Sequence, residues 1–180
     1  MVKAIFLDRD GTINKLVHGR ENPKQVCPWE YSEFELIHGT EDAIKKFRSL
    51  GYSLHVVTNQ PDIDDGYTTE ETMQKIHDTI KQTLNVDTIQ AARTRGTEDY
   101  KPNSGMLEKI ISKWMVSRNR SWMIGDTWKD VVAGHNAEVR TIYLGETYSP
   151  PKEYLHIKPD FYASNLLEAA KIIEQNVGGQ

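Results

Sequence analysis

The stretch Val2-Lys3-Ala4-Ile5-Phe6-Leu7-Asp8-Arg9-Asp10-Gly11-Thr12 decides the fold. Its first half is a short, mostly apolar run, cut off by two aspartates and a glycine. That pattern reads as a buried strand ending in a charged turn. Downstream, Ala43, Ile44, Phe47 and Leu50 recur at helical spacing, and Gly51 stops the run before the strand-like Tyr52-Ser53-Leu54-His55-Val56-Val57. Thr69 to Leu84 carries Met73, Ile76, Ile80 and Leu84 on one face, with Glu70 and Glu71 early, where the helix dipole favours acids. Further strands are expected around 86–91, at Trp122-Met123-Ile124 and at Thr141-Ile142-Tyr143-Leu144. Helices are expected near 103–116 and 128–137, with a closing helix over 164–176.

Strands alternating with helices predict an α/β fold, a mainly parallel sheet covered on both faces because right-handed crossovers place the helices there. In such sheets ligands gather at the carboxyl ends of the strands. With 180 residues, 38% of them hydrophobic, the chain has enough material for one globular core and none to spare for a second large domain. One domain over 1–180 is therefore expected. Residues 15–37, rich in Pro, Asn, Glu and aromatic residues, fit no repeating unit and read as an inserted loop or small flap near the site.

The formal charge of −4 comes without a basic block, which argues against a grip on nucleic acid or an anionic membrane and for small-molecule chemistry. No signal-like N-terminus and no apolar run near the about 18 residues of a membrane helix are present, so a cytoplasmic protein, monomeric or a small homo-oligomer, is expected. The single cysteine, Cys27, cannot close an internal disulfide or build a thiolate-rich zinc site, and reads as an incidental loop thiol.

Four polar clusters follow the expected strands. Asp8 and Asp10, separated by one residue, can reach a shared site from a strand-to-loop turn. One carboxylate can then attack phosphorus while its neighbour handles protons. Alone, the loop also fits a calcium site or a plain turn. Thr58-Asn59-Gln60 offers a hydroxyl and amides suited to phosphoryl oxygens, or simply begins a turn. Lys101, ahead of a helix, can neutralise a phosphoryl group or stand solvated. Asp126 and Asp130, four apart at a strand-to-helix junction, suit a hard cation or an acidic helix start. Coincidence is a poor account of all four at successive strand ends.

In this order the clusters resemble the haloacid dehalogenase superfamily, whose motifs are an Asp-x-Asp-Gly-Thr loop, a Thr or Ser, a Lys and a Gly-Asp-x-x-x-Asp. They stand here as Asp8/Asp10, Thr58, Lys101 and Asp126/Asp130. Within it, the Asp8-to-Asn14 run, Glu33-Phe34-Glu35-Leu36-Ile37, Thr58-Asn59-Gln60-Pro61-Asp62-Ile63 and Lys101-Pro102-Asn103-Ser104-Gly105-Met106-Leu107 are similar to the subfamily IIIA heptose 1,7-bisphosphate phosphatases, with histidinol-phosphate phosphatases as near relatives. The resemblance implies a Rossmann-like three-layer sandwich with a minimal cap or none. It also implies a phosphomonoesterase that forms an aspartyl-phosphate on Asp8. Mg²⁺ would sit on Asp8, the Asp10 carbonyl and Asp126, Asp10 would act as acid and base, and Thr58 and Lys101 would stabilise charge. Asp130 would support the metal or orient Lys101, Arg9 and Asn14 would contact substrate, and Asn59 would fix the nucleophile's surroundings or the substrate.

Residues 91–100 depart from that pattern. They lack the relatives' Cys and His zinc loop, so no structural zinc is expected. Tyr100 replaces an arginine, and Asp64 or Asp65 appears in place of another, with Arg93 or Arg95 as compensating cations. A sugar phosphate remains the expected substrate. Histidinol phosphate, a nucleic-acid 3′-phosphate end and a non-enzymatic binding domain are the alternatives. Trp29 and Tyr31 are expected to pack under the flap, Trp114 and Trp122 in the core, and His55 and His77 in structural roles.

Overall fold

The computed structural model describes residues 1–18 and 27–176. Six strands, β1 (Ala4–Leu7), β2 (Ser53–Asn59), β3 (Thr88–Ala92), β4 (Trp122–Gly125), β5 (Arg140–Leu144) and β6 (Phe161–Ala163), form one sheet in the order β3-β2-β1-β4-β5-β6. Every pairing is parallel. Five helices connect and close it: α1 (Thr40–Ser49), α2 (Glu70–Leu84), α3 (Gly105–Trp114), α4 (Trp128–Asn136) and α5 (Leu166–Asn176).

Alternation along β1 sorts the two cores. Ile5 and Leu7 face one side, where they join α1, α2 and α5 through Phe47, Ile80 and Ile173. Ala4 and Phe6 face the other, with Leu107 and Ile110 of α3 and Ala133 of α4. Both faces of the central strand are thus covered by helices, which is why the run from Ala4 to Leu7 is apolar throughout rather than alternating. The chain winds outward from β1 to β3, returns to β4 on the other side of β1, and winds outward again. The strand order therefore reverses between β1 and β4, and a crevice opens at their carboxyl ends.

The expected strands and helices are all present, with ends shifted by at most two residues. The sheet also gains β6, which sequence patterning did not reveal. Its three residues, Phe-Tyr-Ala, are too few to show a period, and it is held as an edge by pairing with β5. Of the expected loop over 15–37, residues 19–26 lie outside the described residues. The two described arms leave and return side by side, with Lys15 N–H donating to Glu35 O (2.8 Å) and Ile37 N–H to Ile13 O (2.9 Å). Trp29 is half-buried and stacked on Tyr67, with centroids 4.7 Å apart. Among the described residues, no helix is long and apolar enough to cross a membrane.

Candidate active site

The carboxyl ends of β1, β2 and β4 converge on a cavity of about 570 Å³, lined among others by Asp8, Asp10, Thr58, Asn59, Lys101 and Asp126. Its floor is a charged cluster. The Lys101 ammonium donates to Asp8 Oδ1 and Asp130 Oδ1, both at 2.6 Å, and is almost fully buried. Each member is placed by its own element. Asp8 extends β1, its N–H still paired with Ile124 O of β4 at 3.0 Å. Asp130 opens α4 in a capping box. Its Oδ2 accepts from the Thr127 N–H (3.0 Å) and hydroxyl (2.7 Å), which fixes the carboxylate while Oδ1 meets Lys101. Lys101 sits on a loop clamped to the end of β2. Asn59 Oδ1 accepts from the Lys101 N–H (3.0 Å), and Asn59 Nδ2 donates to the Lys101 carbonyl (2.9 Å).

Two glycines let the pieces approach. Gly11 has φ of +83°, and a Cβ there would lie 2.1 Å from Asp126 Oδ2. At Gly125 a Cβ would lie 2.3 Å from Asp130 Cγ. The glycines of the Asp-x-Asp-Gly and Gly-Asp motifs thus make room for carboxylates of the fourth cluster. Spacing alone does not reveal that dependence.

Burial pushes the Asp8 carboxyl up to about 7, with Lys101 pulling against it and Asp130 adding to it. Burial likewise pushes Asp126 up to about 8, reinforced by Asp8 and Asp130. For Lys101, burial by itself would lower the ammonium, but the Asp130 and Asp8 carboxylates outweigh it and raise it. Three carboxylates, Asp8, Asp126 and Asp130, thus have ligand atoms within 4.8 Å of one another, while the one ammonium among them bonds only Asp8 and Asp130. Asp126 Oδ1 is buried with no hydrogen-bond partner among the described residues. This excess of negative charge and the orphaned oxygen fit a hard cation with oxygen ligands. Because both oxygens of Asp130 are engaged, Asp8 and Asp126 are the side chains with lone pairs to offer.

The structure places Arg9 and Asn14 away from the cavity surface. Expected to touch substrate, they are 1% and 0% exposed and do not line the cavity. Arg9 instead lies behind Asp10, and Asn14 Nδ2 donates to Asp10 Oδ1 at 2.9 Å. Asn59 does line the cavity, but its amide is spent on Lys101. Cys27 is more than an incidental loop thiol: it lines the cavity, and its Sγ donates to Asp62 Oδ2 at 3.0 Å. Sequence reasoning also missed Lys129, whose ammonium stands 5.6 Å from the Tyr100 ring centroid and forms no ion pair among the described residues. Nothing in an isolated Trp-Lys-Asp tripeptide signals that placement. Of the two candidate compensating arginines, Arg93 is tied to Asp64 (2.7 Å) and Glu70 (2.5 Å). Arg95 lines the cavity while paired with Asp65 at 2.6 Å.

A parallel sheet with paired acids and a buried lysine at its switch point defines a hydrolase of the phosphoryl-transfer type. The HAD-hydrolase-like family model matches residues 100–169. The D-glycero-beta-D-manno-heptose-1,7-bisphosphate 7-phosphatase of Pasteurella multocida is 30% identical over 97% of this chain and 98% of its own length. A D-glycero-alpha-D-manno-heptose-1,7-bisphosphate 7-phosphatase of Campylobacter jejuni is 34% identical over 79% of this chain and 81% of its own. Among solved structures, the D,D-heptose 1,7-bisphosphate phosphatase of B. bronchiseptica, complexed with magnesium and phosphate, superposes with a TM-score of 0.80. It is 22% identical and covers 98% of this chain and 100% of that one, a likeness of fold. The chain belongs to the haloacid dehalogenase-like hydrolases and is a phosphatase.

Proposed function

We propose that this phosphatase is a Mg²⁺-dependent phosphomonoesterase that works through an aspartyl-phosphate on Asp8, with a sugar phosphate such as D-glycero-D-manno-heptose 1,7-bisphosphate as substrate. The observation that carries it is the Lys101 ammonium bridging Asp8 and Asp130 on the cavity floor beside the orphaned oxygen of Asp126. The names of the relatives support the choice of sugar. Asp8, Asp126 and the Asp10 carbonyl would hold the cation, which supplies charge neutralisation to the transferring group when bound.

Asp8 forms the bond to phosphorus as the ester bond breaks, and the departing oxygen takes a proton from Asp10. Water then attacks the phosphorus while Asp10 accepts its proton. The bond to Asp8 breaks, and phosphate leaves. Lys101 and the Thr58 hydroxyl face the phosphoryl oxygens, where phosphoryl transfer depends on positioning and charge. A cavity of about 570 Å³ is of a size for a small metabolite. Lys129 and Arg95 on its wall are the cations available to a second phosphate. The same reading takes the chain as one catalytic domain acting in the cytoplasm.

The test is phosphate release from heptose 1,7-bisphosphate, other sugar phosphates, histidinol phosphate and a 3′-phosphorylated oligonucleotide, with Mg²⁺ or EDTA. Magnesium-dependent release, greatest for the heptose bisphosphate and trapped as a phosphoprotein at Asp8, is expected. Preference for another substrate would overturn the choice of sugar, and labelling at a residue other than Asp8 would overturn the mechanism.

A further inference from the structure

Behind Asp10 lies a polar network that the chemistry above does not use. Arg9, 1% exposed, donates from Nη2 to Asp10 Oδ1 (3.0 Å) and to Gln60 Oε1 (2.8 Å), and its Nε reaches Asp10 Oδ1 at 3.1 Å. Gln60, 2% exposed, turns its Nε2 to Asp10 Oδ2 (2.7 Å) and Thr58 Oγ1 (2.9 Å). The remaining arm of the guanidinium, Nη1, lies 3.2 Å from His77 Nε2 on α2. An arginine has donors only, so His77 Nε2 must be the acceptor, and the ring is the neutral Nδ1–H tautomer. Burial, with Arg9 adding to it, holds His77 down at about 4, consistent with a neutral ring.

A buried guanidinium is costly unless its donors are met, and this one is aimed by the acceptors around it. Asp10, Gln60 and His77 fix the plane of the fork, and the fork fixes the carboxylate. Asp10 is thereby held from behind by three elements: its own loop, the end of β2 and the helix α2. We infer that His77 is a positioning residue for proton transfer. Through Arg9 it orients Asp10, so that a helix packed under the site takes part in aiming the acid and base. The inference rests on Asp10 having that role.

The experiment compares kcat/KM and kcat for two substrates: heptose 1,7-bisphosphate, whose alkyl leaving oxygen needs a proton, and p-nitrophenyl phosphate, whose aryl leaving group departs without much help. General acid catalysis contributes about 10²–10⁴-fold, so loosening Asp10 is expected to cost about 10-fold or more in kcat/KM for the sugar. His77→Leu, which removes the acceptor, is expected to show that loss while kcat/KM for the aryl ester stays within about 3-fold. His77→Gln, which restores an acceptor, is expected to bring the sugar-to-aryl ratio back near the wild-type value. Arg9→Lys keeps the charge but loses the fork. It is expected to shift the same ratio and serves if the leucine variant does not fold. Equal losses for both substrates, or a glutamine variant as impaired as the leucine variant, would overturn the inference. Absence of turnover with either substrate in the wild-type protein would fall on the proposed function instead.

Discussion

The floor and the rim of the cavity are both built from opposite charges, and they obey different physics. On the floor, Lys101, Asp8 and Asp130 are almost wholly buried, and each is anchored by a regular element or by Asn59. On the rim, Arg95, which lines the cavity, pairs with Asp65, and Arg93, two residues before it, pairs with Asp64 and with Glu70 at the start of α2, with all partners partly in water. Buried pairs are severely destabilised when one partner is removed, whereas exposed pairs hold geometry weakly. Under the proposed mechanism, chemistry that tolerates little displacement sits on the floor, and selection among substrates can sit on the adjustable rim.

The largest effect that would break this contrast is at the proposed nucleophile. Asp8→Asn is expected to lower turnover on the order of 10⁴-fold or more while the far-ultraviolet circular dichroism spectrum is unchanged. Residual activity near wild type would remove Asp8 from the floor's chemistry. Lys101→Met leaves Asp8 and Asp130 facing each other without a cation. It is expected to cost about 3–5 kcal/mol in urea denaturation, as breaking a buried pair does.

A third prediction concerns a buried polar group with no catalytic duty. His55 of β2 has both ring nitrogens within 3.0 Å of hydroxyls, Thr88 at 2.9 Å and Ser53 at 3.0 Å. Burial lowers it to about 4 from an ordinary 6.5, with Asp87 opposing and Arg48 assisting. The unfolded chain therefore binds the proton first, and stability owed to neutral His55 is complete above about pH 6.5 and lost as pH falls toward 4. Relative to His55→Gln, wild type is expected to lose up to about 3 kcal/mol across that window, read by urea midpoints at each pH. A difference independent of pH would refute it.

The smallest effects belong to the rim. Arg95→Gln is expected to leave the urea midpoint in place. Lys129→Gln is expected to raise KM several-fold more for a bisphosphate than for a monophosphate, with kcat little changed. Equal effects on both substrates would strip Lys129 of a part in selection.

How much of this was legible varies with distance along the chain. Asp8, Asp10, Thr58, Lys101, Asp126 and Asp130 could be read because each lies at or beyond the carboxyl end of a strand, and parallel strands deliver those ends to one edge. Arg9 could not be placed: in the extended turn after β1 its side chain goes behind the sheet edge, toward Gln60 and His77, and not into the cavity beside Asp10. Asn59 was legible as polar, but its partner is the backbone of Lys101, 42 positions away.

The sequence by itself determined the α/β alternation, the order of the four clusters and the chemistry they are capable of. Periodicity and motif spacing are local properties, and side-chain chemistry is carried by residue type. Only the tertiary structure decided that Gly11 yields its space to Asp126, that Lys101 is consumed by two carboxylates, and that Lys129 stands on the cavity wall without an ion pair among the described residues. Those facts depend on where loops far apart in the chain meet, and burial there sets which charges must be shared.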